Sequence, residues 1–320
     1  MDRLPDVIRV GFVGCGNHAT HSLYPCLAWA PIDLAAVADL DERKAGRTAR
    51  LFGARRPYTD YRRMLDEMAL DAVFVCGSPE LHCEVALEAL NRGLHVWMEK
   101  PPAPTLADAR AVAKLAMQRR KSVQIGFMMR FAPAYARLKE IMASEEFGRP
   151  GLIEGKYCCW NVPDHRHHLL YYGVHIIDLF RFLMGEVAEV VVRKCDHSGQ
   201  LASAVLLRFE GGAVGLLNFS SRQPRVQERV EVTGEGTVAI VDNRLNLEYH
   251  RRGDNAFGNT TSWRPDFAIP NLPNNTLELQ GYMGEVRHFA ESILRGEKPS
   301  PSIEDGVKCL EIVDRIEAGG

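Results

Sequence analysis

Two short stretches carry residue types whose spacing suits chemistry. The first is Gly14-Cys15-Gly16-Asn17-His18-Ala19, which follows the apolar run VIRVGFV. Glycines at this spacing, between a strand and a helix, permit a tight turn. They also let main-chain N–H groups approach a pyrophosphate at the helix N-terminus. Ala19 stands where a third glycine is common, and the pattern admits alanine there. Asp39 closes the next strand, LAAVAD. A carboxylate in that place accepts hydrogen bonds from ribose hydroxyls and repels a 2′-phosphate, so NAD is favoured over NADP. Arg43, close by in sequence, softens that preference. The second stretch is Glu99-Lys100-Pro101, at the end of the strand LHVWME. The carboxyl ends of parallel strands are where open α/β sheets bind ligands. A plain glycine turn and a surface lysine are the bland alternatives.

The elements that must position these residues follow from hydrophobic pattern. Apolar runs at 7–13, 34–39, 71–76, 94–99 and 122–127 alternate with helical patterns at 17–29, 41–52, 79–93 and 106–120. Such alternation predicts right-handed βαβ units and a parallel sheet covered on both faces. After a helix over 131–144 the pattern changes to strands at 151–160, 187–195, 202–210, 213–220, 227–235, 236–242 and 245–251. The glycines of FEGGAV and GEGTV suit hairpin turns, which makes neighbouring strands antiparallel. A helix is expected near 174–183, a long loop over 252–276, and two closing helices at 281–294 and 303–317. The fold class expected is α/β. An N-terminal doubly wound parallel sheet of the Rossmann type occupies 1–126, and an α+β domain with a large, mainly antiparallel open sheet occupies 127–320.

Composition excludes some functions. The 320 residues carry a formal net charge of −2, which argues against the dense basic face that nucleic acid needs. No run approaches the ~18 apolar residues of a membrane span. The N-terminal stretch has no export-type apolar segment, and no pair of the eight cysteines is spaced as CxxC. A cytoplasmic protein with reduced core thiols is expected.

The chain resembles the Gfo/Idh/MocA oxidoreductases along essentially its whole length. The resemblance rests on GFVGCGNHA, VADLDERKA, FVCGSPELH (74–82), the EKP tripeptide, GFMMRFAPA (126–134) and GVHIIDLFRFLMGE (173–186). It implies a two-domain NAD(P)-dependent oxidoreductase acting on a hydroxyl of a sugar, polyol, inositol or sugar derivative. It also implies that Gly77, Ser78, Pro79 and His82 line the cofactor together with the glycine turn and Glu99. Lys100 is then placed against both cofactor and substrate, behind a Lys100–Pro101 peptide that the family often makes cis, and His175 is the acid/base. One position departs from the pattern: the family usually carries aspartate four residues before this histidine, and here Tyr171 stands there. A non-catalytic dinucleotide-binding sensor is the alternative that this departure keeps open.

The chemistry itself needs a base near neutral pH, which suits His175, and a fixed positive charge for a developing alkoxide, which suits Lys100. Asp178, three residues after His175 on the same helical face, is a candidate to hold the imidazole. Tyr171 or Tyr172 is a candidate to donate or relay a proton. The polar stretch CCWNVPDHRHHLL (158–170) matches no standard metal-ligand spacing, so no metal is assigned, and a loop facing substrate is the reading adopted. His168 is its first candidate, with Tyr157 and Trp160 as rings for stacking on a sugar, core packing being the equal alternative for both. Arg130 and Tyr282 complete the substrate set, with a scaffold salt bridge as the alternative for Arg130. The open sheet is expected to be covered by another subunit in a homodimer or homotetramer.

Overall fold

The computed structural model describes residues 6–160, 162–197, 200–253, 258–264 and 275–319. It divides into two compact units: Met1–Phe127 with Tyr282–Lys308, and Met128–Gly281 with Cys309–Gly320. The first break falls one residue from the boundary expected at 126/127. The return of Tyr282–Lys308 to the first unit has no counterpart in that contiguous division.

The first unit holds a six-stranded sheet of β1 Ile8–Val13, β2 Ile32–Ala38, β3 Arg56–Tyr58, β4 Ala72–Val75, β5 His95–Met98 and β6 Val123–Ile125. Its order is β3-β2-β1-β4-β5-β6, with every pairing parallel. The strand order reverses between β1 and β4, which opens a crevice at their carboxyl ends. Helices cover both faces, so β1, β4 and β5 read as nearly unbroken apolar runs. Register places Phe12 beside Phe74, and Phe74 beside Trp97. Their rings stack with centroids 5.6 and 5.2 Å apart, and Tyr24 extends the stack at 4.1 Å from Phe12. Phe289, from the late helix Tyr282–Arg295, meets Phe74 edge-on.

The helix expected over 17–29 is broken. A π-helical turn, Ala19–Leu23, leads into a short helix, Tyr24–Leu27. Pro25 has no N–H to give and its ring crowds the carbonyl four residues back, so the preceding turn widens. Strand β3 and the helix Tyr61–Glu67 went unanticipated, because a three-residue edge strand and a helix of seven carry little periodicity.

The second unit holds β7 Leu152–Trp160, β8 Val187–His197, β9 Gln200–Phe209, β10 Val214–Ser220, β11 Arg222–Thr233, β12 Thr237–Asp242, β13 Asn246–Arg251 and β14 Asn259–Trp263. The order is β14-β13-β12-β11-β7-β10-β9-β8, antiparallel except for the parallel pair β7–β10. Strand β14 lies inside the span expected to be loop. Its Thr-Thr-Ser-Trp core suits an edge strand, and the flanking glycine and asparagine hid it. The rest of that expected loop partly lies outside the described residues. The helix Val174–Met184 packs on one face of the sheet. Gly155 in β7 makes this possible, since a Cβ there would stand 2.6 Å from the Phe180 ring and 2.9 Å from Ile176. The opposite face bears a continuous apolar row. Val191 pairs with Leu206, Leu206 pairs with Leu216, and all three are exposed. Among the described residues no helix is long and apolar enough to cross a membrane.

Candidate active site

In the first unit the glycine turn sits where β1 ends. Gly14 has φ +103°, and a Cβ on it would lie 2.0 Å from the carbonyl oxygen of Cys76, so only glycine fits. A Cβ on Gly16 would meet nothing within 4 Å and would project into open space. That is the space a pyrophosphate needs to reach the main chain. Asp39 is locked in place: its two carboxylate oxygens accept the N–H groups of Cys15 at 2.8 Å and Asp41 at 2.9 Å. A cavity of about 420 Å³ runs past Gly14, Gly16, Asp39 and Gly77. It continues to Leu40, Thr59, Tyr61 and Arg62, none of which was anticipated, because Leu40 and Thr59 are loop residues after β2 and β3 and Tyr61 and Arg62 open a short helix, all without a motif. Leu40 is almost fully exposed at its mouth. Arg43 lies exposed on the first turn of the next helix, with its main-chain N–H on the capping Asp41 carboxylate. The open cradle at Gly16 and the held carboxylate of Asp39 fit a dinucleotide with free ribose hydroxyls.

Ser78 caps the helix Pro79–Asn91, accepting the N–H of Leu81, and Pro79 occupies its first turn. His82 is fully buried. Its Nε2 accepts the N–H of Gly77 at 3.0 Å, so Nδ1 carries the proton and donates to the Pro101 carbonyl at 2.9 Å. Burial holds this imidazole below its usual range, and it stays neutral. It acts as a strut between the Gly77 turn and the lysine turn. The Lys100–Pro101 peptide is cis, as the resemblance implied.

Glu99 organises the end of β5. Its Oε2 accepts the main-chain N–H of Lys100 at 3.0 Å, and its Oε1 lies 3.0 Å from His18 Nε2. Burial pushes this carboxyl up, but the hydrogen bond and charge of His18, with Lys100 beside it, bring it below its usual range. Burial also lowers the Lys100 ammonium, against the pull of Glu99. Tyr282 stands over His18, ring centroids 5.7 Å apart. Sequence reading placed Tyr282 with substrate. It belongs to the same unit as the nucleotide turn, and the structure sets its ring edge-on to His18, which in turn meets Glu99. Asn17 is exposed at the lip of the turn.

In the second unit His175 is buried on the first turn of the helix Val174–Met184. Tyr171 precedes it in a π-helical turn, Leu169–Gly173, and stacks on His167 at 4.3 Å. Tyr172 lies 6.3 Å from the Tyr157 ring and edge-on to His168. Burial lowers His168 to about 4 and raises the Tyr157 phenol to about 12, so both are neutral. Neither ring nitrogen of His168 makes a well-aligned hydrogen bond among the described residues. His165 Nε2 meets the Ser203 hydroxyl at 2.9 Å. The side chain of Trp160 lies outside the described residues. Among the described residues no three His, Cys, Asp or Glu side chains gather as metal ligands.

Arg130, read as a substrate candidate, is committed to the scaffold. Its Nε and Nη2 donate to the two oxygens of Asp178 at 2.7 and 2.5 Å, and its guanidinium lies over the Phe182 ring. Asp178, the candidate to hold His175, is fully buried in this pair, with Arg181 at 3.9 Å and the Cys309 thiol at 3.8 Å.

Comparison with known proteins agrees with this geometry. Residues 8–127 match the model of an oxidoreductase family with an NAD-binding Rossmann fold, GFO_IDH_MocA, and residues 135–239 match the GFO/IDH/MocA C-terminal domain. The chain is 31% identical to an inositol 2-dehydrogenase of Rubrobacter xylanophilus, over 96% of this chain and 89% of that one. It is 26% identical to a D-apiose dehydrogenase of Paraburkholderia graminis, over 94% of this chain and 84% of that one. A crystal structure of a dehydrogenase from Chromobacterium violaceum has the same fold, with a TM-score of 0.90 at 24% identity, covering 98% and 95% of the two chains. With a glycine turn open to a dinucleotide, the Asp39 carboxylate held beside it and both family models matched in order, the chain belongs to the Gfo/Idh/MocA oxidoreductase family and binds NAD through its Rossmann unit.

Proposed function

We propose that this protein is an NAD-dependent dehydrogenase that oxidises a secondary hydroxyl of a sugar, polyol or inositol. The observation that carries the proposal is the Glu99–Lys100 turn, which sets the half-buried Lys100 at the carboxyl end of β5, in the same unit as the dinucleotide cradle. The relatives named for inositol and apiose supply the substrate class. Gly14, Gly16 and Asp39 hold the dinucleotide, whose nicotinamide when bound supplies the hydride acceptor. Lys100 stabilises negative charge developing on the substrate oxygen. His175 takes the hydroxyl proton, since an imidazole titrates near working pH. Tyr171 and Tyr172 offer phenols in place of the usual carboxylate, and His168, kept neutral by burial, offers a hydrogen bond to a substrate hydroxyl.

The exposed row Val191, Leu206 and Leu216 supports a second copy of this chain as partner of the open sheet. All eight thiols are free, which supports a cytoplasmic setting.

The test is NADH formation across a panel of inositols, pentoses, hexoses and polyols with wild type, Lys100→Ala and His175→Ala. Turnover in the wild type that collapses in both variants, with NAD binding kept, is the expected result. Equal rates in all three remove these residues from the mechanism. Tight NAD binding without turnover on any substrate overturns the dehydrogenase reading in favour of a sensor.

A further inference from the structure

Glu285 is an acid with no evident reason to be where it is. It lies on the first turn of the helix Tyr282–Arg295, on the face that buries Met283, Val286, Phe289 and Ala290. It is wholly buried, and neither carboxyl oxygen has a hydrogen-bond partner among the described residues. An ionised carboxylate in such a place is far costlier than a protonated one. The helix is anchored at this point, because Gln124 Nε2 donates to the main-chain carbonyl of Glu285 at 2.9 Å.

Several titratable groups act on it. Cys26 comes from the helix Tyr24–Leu27, and its thiol is pushed up to about 12 by burial and by Glu285. Glu99 and Lys100 come from the end of β5, and both interact electrostatically with Glu285. His18, His82 and Cys76 act on Glu99 or Lys100 in turn. Glu99 is already committed to His18 and to the Lys100 main chain. Gly126 leaves room for the Glu99 carboxyl, since a Cβ there would stand 3.2 Å from it. The pocket thus contains two carboxyls and one ammonium, with the half-exposed His18 on Glu99. With both carboxyls ionised, Glu285 would add a buried negative charge that no hydrogen bond among the described residues answers. Burial and the charge of Glu99 raise Glu285 well above the usual carboxyl range, against the opposing pull of Lys100.

We propose that Glu285 is a positioning residue for Lys100: sealed in the core beside the Glu99–Lys100 pair, its carboxyl keeps a proton at working pH, so that the ammonium is answered by one carboxylate and not two. As pH rises and Glu285 ionises, the second negative charge holds the lysine's proton on. This role rests on the reading of Lys100 as the charge that meets substrate.

The experiment compares wild type with Glu285→Gln and Glu285→Asp. Infrared spectra in H2O and D2O at pH 7, with neither substrate nor cofactor added, should show a protonated-carboxyl band in wild type. The band should be lost in Glu285→Gln and displaced in Glu285→Asp, which also decides the matter should the glutamine variant not fold. Thermal unfolding gives a second readout. The unfolded chain ionises this residue near its ordinary pKa while the folded chain does not, so wild type loses stability relative to Glu285→Gln as pH rises from 5 to 8. In turnover, the alkaline limb of kcat/KM should move to lower pH in Glu285→Gln, where no second charge retains the lysine's proton. Absence of the band, or a stability gap that does not change with pH, overturns the protonated state. An unmoved alkaline limb reduces Glu285 to a structural residue. Failure of the dehydrogenase reading shows separately, as activity that survives in Lys100→Ala while the band persists.

Discussion

Glu99 and Asp178 are both buried carboxylates, and the two units treat them in opposite ways. Asp178 receives a bidentate arginine, with a second guanidinium 3.9 Å away, so its charge is fully answered inside the scaffold. Glu99 receives a partly exposed histidine and the main chain of Lys100, with a second carboxyl, Glu285, closed in nearby. The first arrangement is finished without a ligand. The second leaves an ammonium of lowered pKa poised at the carboxyl end of a parallel strand. A shifted pKa by itself marks neither arrangement as functional. What separates them is whether the charges close among themselves or remain able to act on something that enters.

The comparison can be broken at its finished side. Arg130→Ala should strand Asp178 in the core and cost about 3–5 kcal/mol of stability, measured by denaturant unfolding. Arg130→Met combined with Asp178→Leu should recover most of that loss, since no charge is then left buried. If Arg130→Ala is nearly neutral in stability but raises KM, the arginine belongs to the substrate after all.

At the open side, Lys100→Ala should lower kcat about 10²–10³-fold, the usual cost of removing one charge-stabilising donor, with NAD affinity little changed. Stopped-flow measurement of NADH formation separates the two effects. Stability should change far less than in Arg130→Ala, because the remaining Glu99 keeps His18 and a main-chain donor.

His168 sharpens the comparison through pH. Its folded pKa is about 4, below the ordinary value of about 6.5, so the unfolded chain binds the proton first. The stability this group provides is present above pH 6.5 and is lost as pH falls through 4, a swing of about 3 kcal/mol at most. His168→Phe should flatten that part of the acid limb in thermal unfolding between pH 7 and 4. An unchanged limb would place the acid sensitivity elsewhere.

The smallest effect is expected at the ribose. Asp39→Ala removes a charge-assisted acceptor worth about 1.5–3 kcal/mol, so NAD binding should weaken roughly 10–100-fold. NADP binding should weaken less or improve, narrowing the preference. Fluorescence titration with both reduced cofactors measures this, and a parallel loss for the two would deny Asp39 its place at the 2′-hydroxyl.

How much of this was legible in the residues differs between the units for a physical reason. The glycine turn, Asp39 and the Glu99-Lys100-Pro101 turn are each set by neighbours a few residues apart, so turn chemistry and strand period locate them. Seven strands of the antiparallel sheet follow from alternation and hairpin glycines, as at Gly212 and Gly236, both at positive φ. The break before Pro25 was in principle legible, since the proline lies inside the helical pattern.

By itself, the order of residues determined that a parallel nucleotide-binding sheet precedes an open antiparallel one, and which backbone turn receives a dinucleotide. Only the tertiary structure decided that Arg130 closes on Asp178, that Tyr282 stands over His18, and that Glu285 shares its pocket with Glu99 and Lys100. Periodicity and turn preference act between near neighbours in the chain. The charge state and partner of a buried side chain depend on whichever residues packing delivers, from any distance in sequence, and on the solvent that packing removes.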